Sequence, residues 1–180
     1  MQEQEIIEGL KNRNNEIFLQ LVDSYKKKII SLCYSYTNDY HEAEDLSQEV
    51  FITLYNSISR FREECSLSTF IYRITVSRCL DYKRKRSIKG FLTGLLNIYR
   101  EDTIDHDNKN YITDSINNLT EELKVPIVLY YYIGLSQSEI GNVLKISAKA
   151  VEGRIYRGKK KLKIEFEKEG YLSCRNKEMI

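Results

Sequence analysis

Residues 45–86 read DLSQEVFITLYNSISRFREECSLSTFIYRITVSRCLDYKRKR, and this stretch decides the fold. Its apolar residues recur at steps of three and four, which predicts two amphipathic helices separated by a short polar segment. The first helix carries an acidic face, and the second ends in four consecutive basic residues, 83–86. We therefore expect a helical bundle with one surface for a protein partner and another for a nucleic-acid strand.

Charge is unevenly distributed along the chain, although the formal net charge is only +2. Residues 73–89 carry a net +6 and residues 145–163 a net +7, so the remainder sums to about −11. Two basic segments on an otherwise acidic chain predict two contacts with a polyanion, and nucleic acid is the expected one.

Neither a metal site nor a membrane segment is predicted. The four cysteines, Cys33, Cys65, Cys79 and Cys174, form no CxxC pair, and only two histidines accompany them. Free cysteines of this kind suit a reducing cytosol. The N-terminus is acidic and lacks a long apolar run, which favours neither a signal peptide nor a membrane span.

An all-α chain of two small domains is predicted, because glycine and proline are scarce and no segment alternates with a period of two. We expect a core helix over 15–36, then Asp39 as an N-cap with Glu42 closing a capping box. The predicted boundaries are a first domain at 1–88, a flexible linker at 89–112 in which 91–99 can form a short helix, a second domain at 113–168, and a tail at 169–180.

The helix over 40–57 has two different faces. Ala43, Leu46, Val50, Leu54 and Ile58 should pack inward, while Glu42, Asp45, Gln48, Glu49 and Ile52 share the opposite face. Because Phe51, Ile52 and Tyr55 place apolar groups beside the carboxylates, this face fits a helix-docking surface. The alternative is an ordinary solvated face.

The loop over 57–68 and the helix that begins near Ser68 combine basic and aromatic side chains. The polar side of the helix offers Arg73, Ser77, Arg78 and Asp81, and Phe61, Tyr72 and Tyr82 are available for stacking. Phosphate neutralisation together with stacking is typical of single-stranded nucleic-acid binding. The alternative is that the aromatic side chains belong to the core.

A helix-turn-helix is predicted in the second domain. Thr120 can cap a helix in which Pro126 should cause a kink or a restart. Ser136 and Glu139 form a capping box, Lys145 occupies the left-handed turn position, and a basic helix follows from Ser147. The inner face of that helix carries Val151, Ile155, Gly158 and Leu162, and its outer face Lys149, Arg154, Arg157, Lys159 and Lys161.

Four segments in register resemble the extracytoplasmic-function (ECF) sigma factors of bacteria. They are DLSQEVF at 45–51, STFIYRI at 68–74, DYKR at 81–84, and GLS at 134–136 with RIYR at 154–157. The resemblance covers both domains and leaves out the linker and the tail. It implies a sigma region 2-like domain followed by a sigma region 4-like domain.

The resemblance also implies a non-enzymatic function, which is promoter-specific initiation by core RNA polymerase. It implies no cofactor, contacts with the beta-prime clamp helices and the beta subunit, cytoplasmic localisation, and an anti-sigma partner, often membrane-bound in this family. The implied polymerase-binding residues are Asp45, Gln48, Glu49, Phe51 and Ile52. The implied minus-10 residues are Phe61, Arg73, Ser77, Arg78, Asp81, Lys83 and Arg84. The implied minus-35 residues are Ser147, Lys149, Glu152, Gly153, Arg154, Tyr156, Arg157 and Lys159.

Three residues depart from the family pattern. Phe70 replaces a common Trp, Ser77 replaces a common Asn in the base-reading helix, and Glu152 replaces a common basic residue. The promoter sequence therefore does not carry over from the family. A basic recognition helix also fits a helix-turn-helix repressor, and the carboxylates of the first domain also suggest a nucleic-acid enzyme. The first predicts a ligand pocket or dimer interface in the remaining domain, and the second an inward carboxylate cluster; neither is indicated.

Overall fold

A computed structural model describes the backbone of residues 2–95 and 111–168, and the side chains of residues 2–87 and 114–168. Within these ranges the regular structure is helical and contains no strand. The helices are α1 (Glu3–Lys11), α2 (Asn15–Thr37), α3 (Tyr40–Ser57), a 3-10 turn (Ile58–Arg60), α4 (Leu67–Leu95), α5 (Tyr111–Asn117), α6 (Glu121–Tyr131), α7 (Gln137–Leu144) and α8 (Ala148–Lys168).

The chain divides into two compact units. Helices α1 to α4 belong to the first, whereas α5, α6, α8 and α7 up to Gly141 belong to the second. The predicted tail at 169–180 and most of the predicted linker lie outside the described residues. Among the helices that are described, none is long and apolar enough to cross a membrane.

The core of the first unit lies where α2 packs against α3 and α4. Ile29 and Leu32 of α2, Val50 of α3 and Ile71 of α4 are fully buried there. Cys33 joins them as a small apolar residue, as its place in the stripe of α2 predicts. Because each helix gives one stripe to this core, its opposite face remains available to solvent.

Helix α3 begins where Asp39 accepts a hydrogen bond from the amide of Glu42, at 2.9 Å. The predicted N-cap is therefore confirmed. The Glu42 carboxylate does not close the predicted capping box, because it accepts from the Tyr82 hydroxyl of α4 instead. A tertiary contact has replaced a local one.

Helix α4 begins at Leu67, one residue before the predicted start, and its first turn is capped by Ser66, which accepts from the amide of Thr69. Its backbone stays helical to Leu95, past the predicted domain boundary at residue 88. The basic run therefore lies within a helix and not at its end. The segment before α4, predicted as a loop, contains the 3-10 turn.

The second unit is built around Leu119, Leu123 and Ile127, against which Leu162 of α8 packs. Helix α6 runs through Pro126 without a break, which excludes the restart that was one of the two expectations for that residue. Pro126 is itself buried, so packing offsets its missing hydrogen bond. Thr120 occupies the N-cap position of α6, but its side chain makes no capping hydrogen bond.

The helix-turn-helix elements appear where the sequence predicts them. Ser136 and Glu139 form the capping box of α7, and Lys145 adopts the left-handed conformation with φ 57° and ψ 43°. Ser147 then accepts from the amide of Ala150 at 3.1 Å to begin α8. The turn also needs Gly141, because a Cβ there would lie 2.7 Å from the backbone oxygen of Ile146.

We predict that Gly141→Ala lowers the free energy of unfolding by about 1–3 kcal/mol, because the added methyl group cannot fit without opening the turn. Gly153→Ala in α8 is the matched control. Its Cβ would meet only Arg157, at 3.7 Å, so better helix propensity should raise stability by up to about 1 kcal/mol. Urea unfolding of both variants measures the difference, and shifts of the same sign would contradict the steric argument.

Candidate protein-binding and nucleic-acid interfaces

Helix α3 presents an exposed acidic face made of Asp45, Gln48, Glu49 and Ile52. The Ile52 side chain is 60% exposed although it is apolar. Carboxylates around one exposed aliphatic group are typical of a surface that receives another helix. The structure thus places together four of the five predicted polymerase-binding residues.

The fifth residue, Phe51, is only 8% exposed, which corrects its placement on the acidic face. It lies one turn from Ser47 and from Leu54, and both are also buried. The buried stripe of α3 is therefore wider than the stripe that the sequence predicts, and Phe51 lies at its edge. Tyr55 is likewise occupied, since Phe18 packs against its ring at 5.0 Å and Arg13 lies over it at 4.2 Å.

Phe61, predicted as a minus-10 residue, is 6% exposed, and its ring stacks on Phe70 with ring centroids 4.6 Å apart. Tyr72 is buried against Tyr25 in an edge-to-face contact at 6.0 Å. In the free chain these two aromatic rings are core residues. Neither is available to stack on an unpaired base.

The polar side of α4 keeps most of the other predicted minus-10 residues at the surface. Ser77, Lys83 and Arg84 are exposed, whereas Arg73, Arg78 and Asp81 are half-buried. Arg78 donates from Nε to Thr53 of α3 at 3.1 Å, Asp81 pairs with Arg84 at 3.5 Å, and Arg73 donates from Nη1 to Cys65 at 3.4 Å. These six predicted residues of α4 therefore remain at least partly exposed.

A shallow groove joins the acidic face of α3 to the basic side of α4, a proximity that the sequence did not reveal. It is lined by Glu42, Asp45, Leu46, Glu49, Arg78, Asp81, Tyr82 and Lys85. Carboxylates on the exposed face of α3 therefore lie near cations of α4. A charged partner bound at either face would change the electrostatic surroundings of the other.

Glu42 and Tyr82, which line this groove, form a three-residue cluster with Arg86. The Tyr82 hydroxyl donates to Glu42, and Arg86 lies 3.6 Å from the same carboxylate and 3.2 Å from the hydroxyl oxygen. Arg86 also donates to the backbone oxygen of Thr37, at 3.3 Å. Burial raises the pKa of Tyr82, and the hydrogen bond to Glu42 raises it further, while Arg86 lowers it. Tyr82, predicted to be available for stacking, is held by protein groups.

Helix α8 presents the predicted minus-35 residues on one side. Ser147, Lys149, Glu152, Arg157 and Lys159 are exposed, and so is Tyr156 at 68%, whereas Gly153 and Arg154 are half-buried. The inner stripe of Val151, Ile155 and Gly158 is buried as predicted. This is the arrangement of a recognition helix, with one face in the core and the other directed to the major groove.

Two arginines of this face share an acidic partner that the sequence did not predict. Arg154 Nε lies 3.1 Å from Glu122 Oε1, and Arg157 Nη2 lies 3.8 Å from the same oxygen. Glu122 belongs to the first turn of α6, so this contact joins two helices of the second unit. Spacing along the sequence carries no signal for a pair so far apart.

No grouping of three metal-ligating side chains occurs among residues 2–87 and 114–168. The carboxylates of α3 that a nucleic-acid enzyme would need as ligands instead spread along a helix surface, and Glu42 is engaged by Tyr82 and Arg86.

Two family models match the chain in the order of its units. The model described as Sigma-70 region 2 matches residues 21–88, and that described as Sigma-70, region 4 matches residues 109–162. An acidic helix and a basic helix in the first unit, with a helix-turn-helix in the second, thus define a transcription initiation factor of the sigma-70 class.

Curated relatives narrow the class. The ECF RNA polymerase sigma factor SigW of Bacillus subtilis is 34% identical over 173 residues, covering 87% of this chain and 92% of SigW. The RNA polymerase sigma-H factor of Pseudomonas aeruginosa is 26% identical over 177 residues, covering 88% and 90% of the two chains. The chain belongs to the ECF family of RNA polymerase sigma factors, which bind core polymerase and direct promoter-specific transcription initiation.

Solved structures share the fold. CnrH, determined in complex with the cytosolic domain of CnrY, superposes with a TM-score of 0.72 at 22% identity, covering 92% of this chain and 97% of CnrH. The sigma factor RpoE of Bartonella quintana, determined with the anti-sigma factor NepR, gives a TM-score of 0.66 at 16% identity, covering 83% and 96%. At these identities the likeness concerns the fold.

The raised pKa of Tyr82 predicts a pH-dependent contribution to stability. Since the folded pKa exceeds the usual 10.0, the contribution is fully present below pH 10.0 and is lost as the pH rises through the folded pKa. Tyr82→Phe should cost about 1 kcal/mol near neutral pH through the lost hydrogen bond. The gap between wild type and variant should narrow above pH 10.0, in urea unfolding at a series of pH values. A gap that is constant across the series would argue against the assigned contact.

Proposed function

We propose that the acidic face of α3 is the surface on which core RNA polymerase docks, through the clamp helices of its beta-prime subunit. The observation that carries this proposal is the exposure of Asp45, Gln48, Glu49 and Ile52 on one side of a helix whose other side is buried. These side chains contribute little to the core, so they are free to serve a partner. Phe51 supports the face from below, at the edge of the buried stripe.

The basic side of α4 is the proposed minus-10 surface, within a region 2-like domain at 1–88. Ser77, Lys83 and Arg84 are exposed to a nucleic-acid strand, and Arg73, Arg78 and Asp81 border them. Extruding a base costs a few kcal/mol, which contacts in the open complex must offset. Because Phe61 is buried in the free chain, a direct role for it requires the Phe61–Phe70 stack to separate first.

The exposed side of α8 is the proposed minus-35 surface, within a region 4-like domain at 113–168. Arginine reads guanine through a bidentate contact, and lysine neutralises phosphates. Arg154 and Arg157 are the proposed base-edge and phosphate contacts, together with Ser147, Lys149, Glu152, Gly153, Tyr156 and Lys159. Residues 89–112 are the proposed linker that lets each domain reach its own element.

We further propose control by an anti-sigma protein. Two proteins that share this fold were determined in complexes, CnrH with the cytosolic domain of CnrY and the sigma factor RpoE with the anti-sigma factor NepR. An anti-sigma factor that covers the acidic face would compete directly with polymerase. This proposal places the protein in the cytoplasm, held at the membrane when its anti-sigma factor spans the bilayer.

Charge reversal on the docking face tests the first proposal. Asp45→Lys with Glu49→Lys should abolish binding to core polymerase and leave the melting temperature nearly unchanged, because both carboxylates are exposed and off the buried stripe. Glu8→Lys with Asp23→Lys is the control, since it makes the same charge change at exposed positions of α1 and α2. Binding is measured by titration with core enzyme and folding by circular dichroism. Wild-type affinity in the Asp45/Glu49 variant would exclude this face.

Footprinting of the holoenzyme tests the division between the two DNA surfaces. Arg154→Ala and Arg157→Ala should weaken protection of the upstream element, and Ser77→Ala should alter the downstream element alone. Lys27→Ala, at an exposed position of α2, is the control and should change neither footprint. If any one substitution removed the sequence preference at both elements, the two-surface proposal would be wrong.

A further inference from the structure

Glu122 places a negative charge beside the exposed side of α8, where a DNA-binding surface is expected to be positive. Its carboxylate extends from the first turn of α6 to the outer side of α8, where Oε1 meets Arg154 at 3.1 Å and Arg157 at 3.8 Å. Phosphates approaching α8 would be repelled by this charge. A carboxylate there lowers general affinity for DNA, so its presence calls for another role.

The contact with Arg154 uses Nε, which is the inner donor of the guanidinium group. Guanidinium is planar and its donors have a fixed fork geometry. A carboxylate held at Nε therefore fixes the plane of the group and leaves donors at its outer end for a second acceptor. The Arg154 side chain is 25% exposed, so its stem is already confined by protein.

Arg157 is held more loosely by the same oxygen and is 60% exposed. Gly153 lies one turn before it, and a Cβ at residue 153 would be 3.7 Å from Arg157 Nη1. That distance is an ordinary van der Waals contact, so the Arg157 guanidinium lies beside α8 next to residue 153. One carboxylate thus orients two arginines of the same face, one tightly and one loosely.

We propose that Glu122 is a specificity-determining positioning residue, which fixes the Arg154 guanidinium for a bidentate contact with a base edge in the minus-35 duplex. The inference rests on the proposed function of α8 as the minus-35 reader. Glu122 itself need not touch DNA. Because Glu122 already holds the Arg154 side chain, less conformational entropy is lost when Arg154 binds the correct base. The negative charge of Glu122 also weakens contacts with DNA that are only electrostatic.

Two simpler roles predict different measurements. A stabilising pair at the N-terminus of α6, favoured by the helix dipole, would change the melting temperature and leave sequence preference as it was. A carboxylate that merely masks the arginines would weaken binding to every duplex equally. A positioning role alone makes specific and non-specific affinities respond differently.

The test uses holoenzyme and two labelled duplexes, one with the cognate upstream element and one with that element scrambled. Glu122→Gln should raise affinity for the scrambled duplex several-fold and lower the cognate-to-scrambled ratio roughly ten-fold, the size of one lost bidentate contact. Glu122→Asp, which keeps the charge, should restore part of the ratio. Asp114→Asn in α5 is the charge-matched control, exposed and distant in sequence from α8, and should leave the ratio unchanged.

A double-variant cycle separates this inference from the proposed function. Arg154→Ala should lower the ratio by itself, and adding Glu122→Gln to it should lower the ratio no further, because Glu122 acts through Arg154. If Arg154→Ala leaves the ratio intact, α8 does not read this element through Arg154 and the proposed function is at fault. If Arg154→Ala lowers it but Glu122→Gln raises both affinities equally or changes neither, the positioning role is refuted.

Discussion

The packing of α3 and α4 against α2 is the interaction on which both surfaces of the first unit depend. Ile29, Leu32, Val50 and Ile71 are buried at this seam, and their burial fixes the rotation of each helix about its axis. Once the apolar stripes face inward, the acidic residues of α3 and the basic residues of α4 must face outward. Substitution at these buried positions would therefore disturb both surfaces together, whereas substitution of an exposed residue leaves the packing intact.

Pairing of acidic and basic side chains within each unit is the second constraint. Glu42 engages Tyr82 and Arg86 in the first unit, and Glu122 engages Arg154 and Arg157 in the second. Exposed pairs of this kind contribute about 0–1 kcal/mol to stability, so they are poorly explained as folding devices. Their physical effect is on orientation and on the local field, and both matter to a protein that must read DNA and also release it.

Local patterns in the sequence predicted what depends on neighbouring residues. Four predicted features are set by residues within a few positions of one another. They are the N-cap at Asp39, the capping box at Ser136, the left-handed conformation of Lys145 and the inner stripe of α8. The contacts that were not predicted join residues that lie far apart in the sequence. Phe61 stacks on Phe70, and Glu42 accepts a hydrogen bond from Tyr82. Phe51 lies at the edge of the buried stripe of α3, and the width of that stripe depends on the residues that pack against it. The partner of Arg154 could not be predicted either, because Glu122 lies in α6 and Arg154 in α8, with all of α7 between them in the sequence.

The groove between α3 and α4 shows why polymerase docking and DNA reading need not be independent. Asp45 and Glu49 line it together with Arg78 and Lys85. The Debye length is about 8 Å at physiological salt, so charges across such a groove are only partly screened from one another. When a partner neutralises the carboxylates, the cations lose their nearest competitors to phosphate. If polymerase docks at the acidic face as proposed, the attraction of α4 for DNA increases.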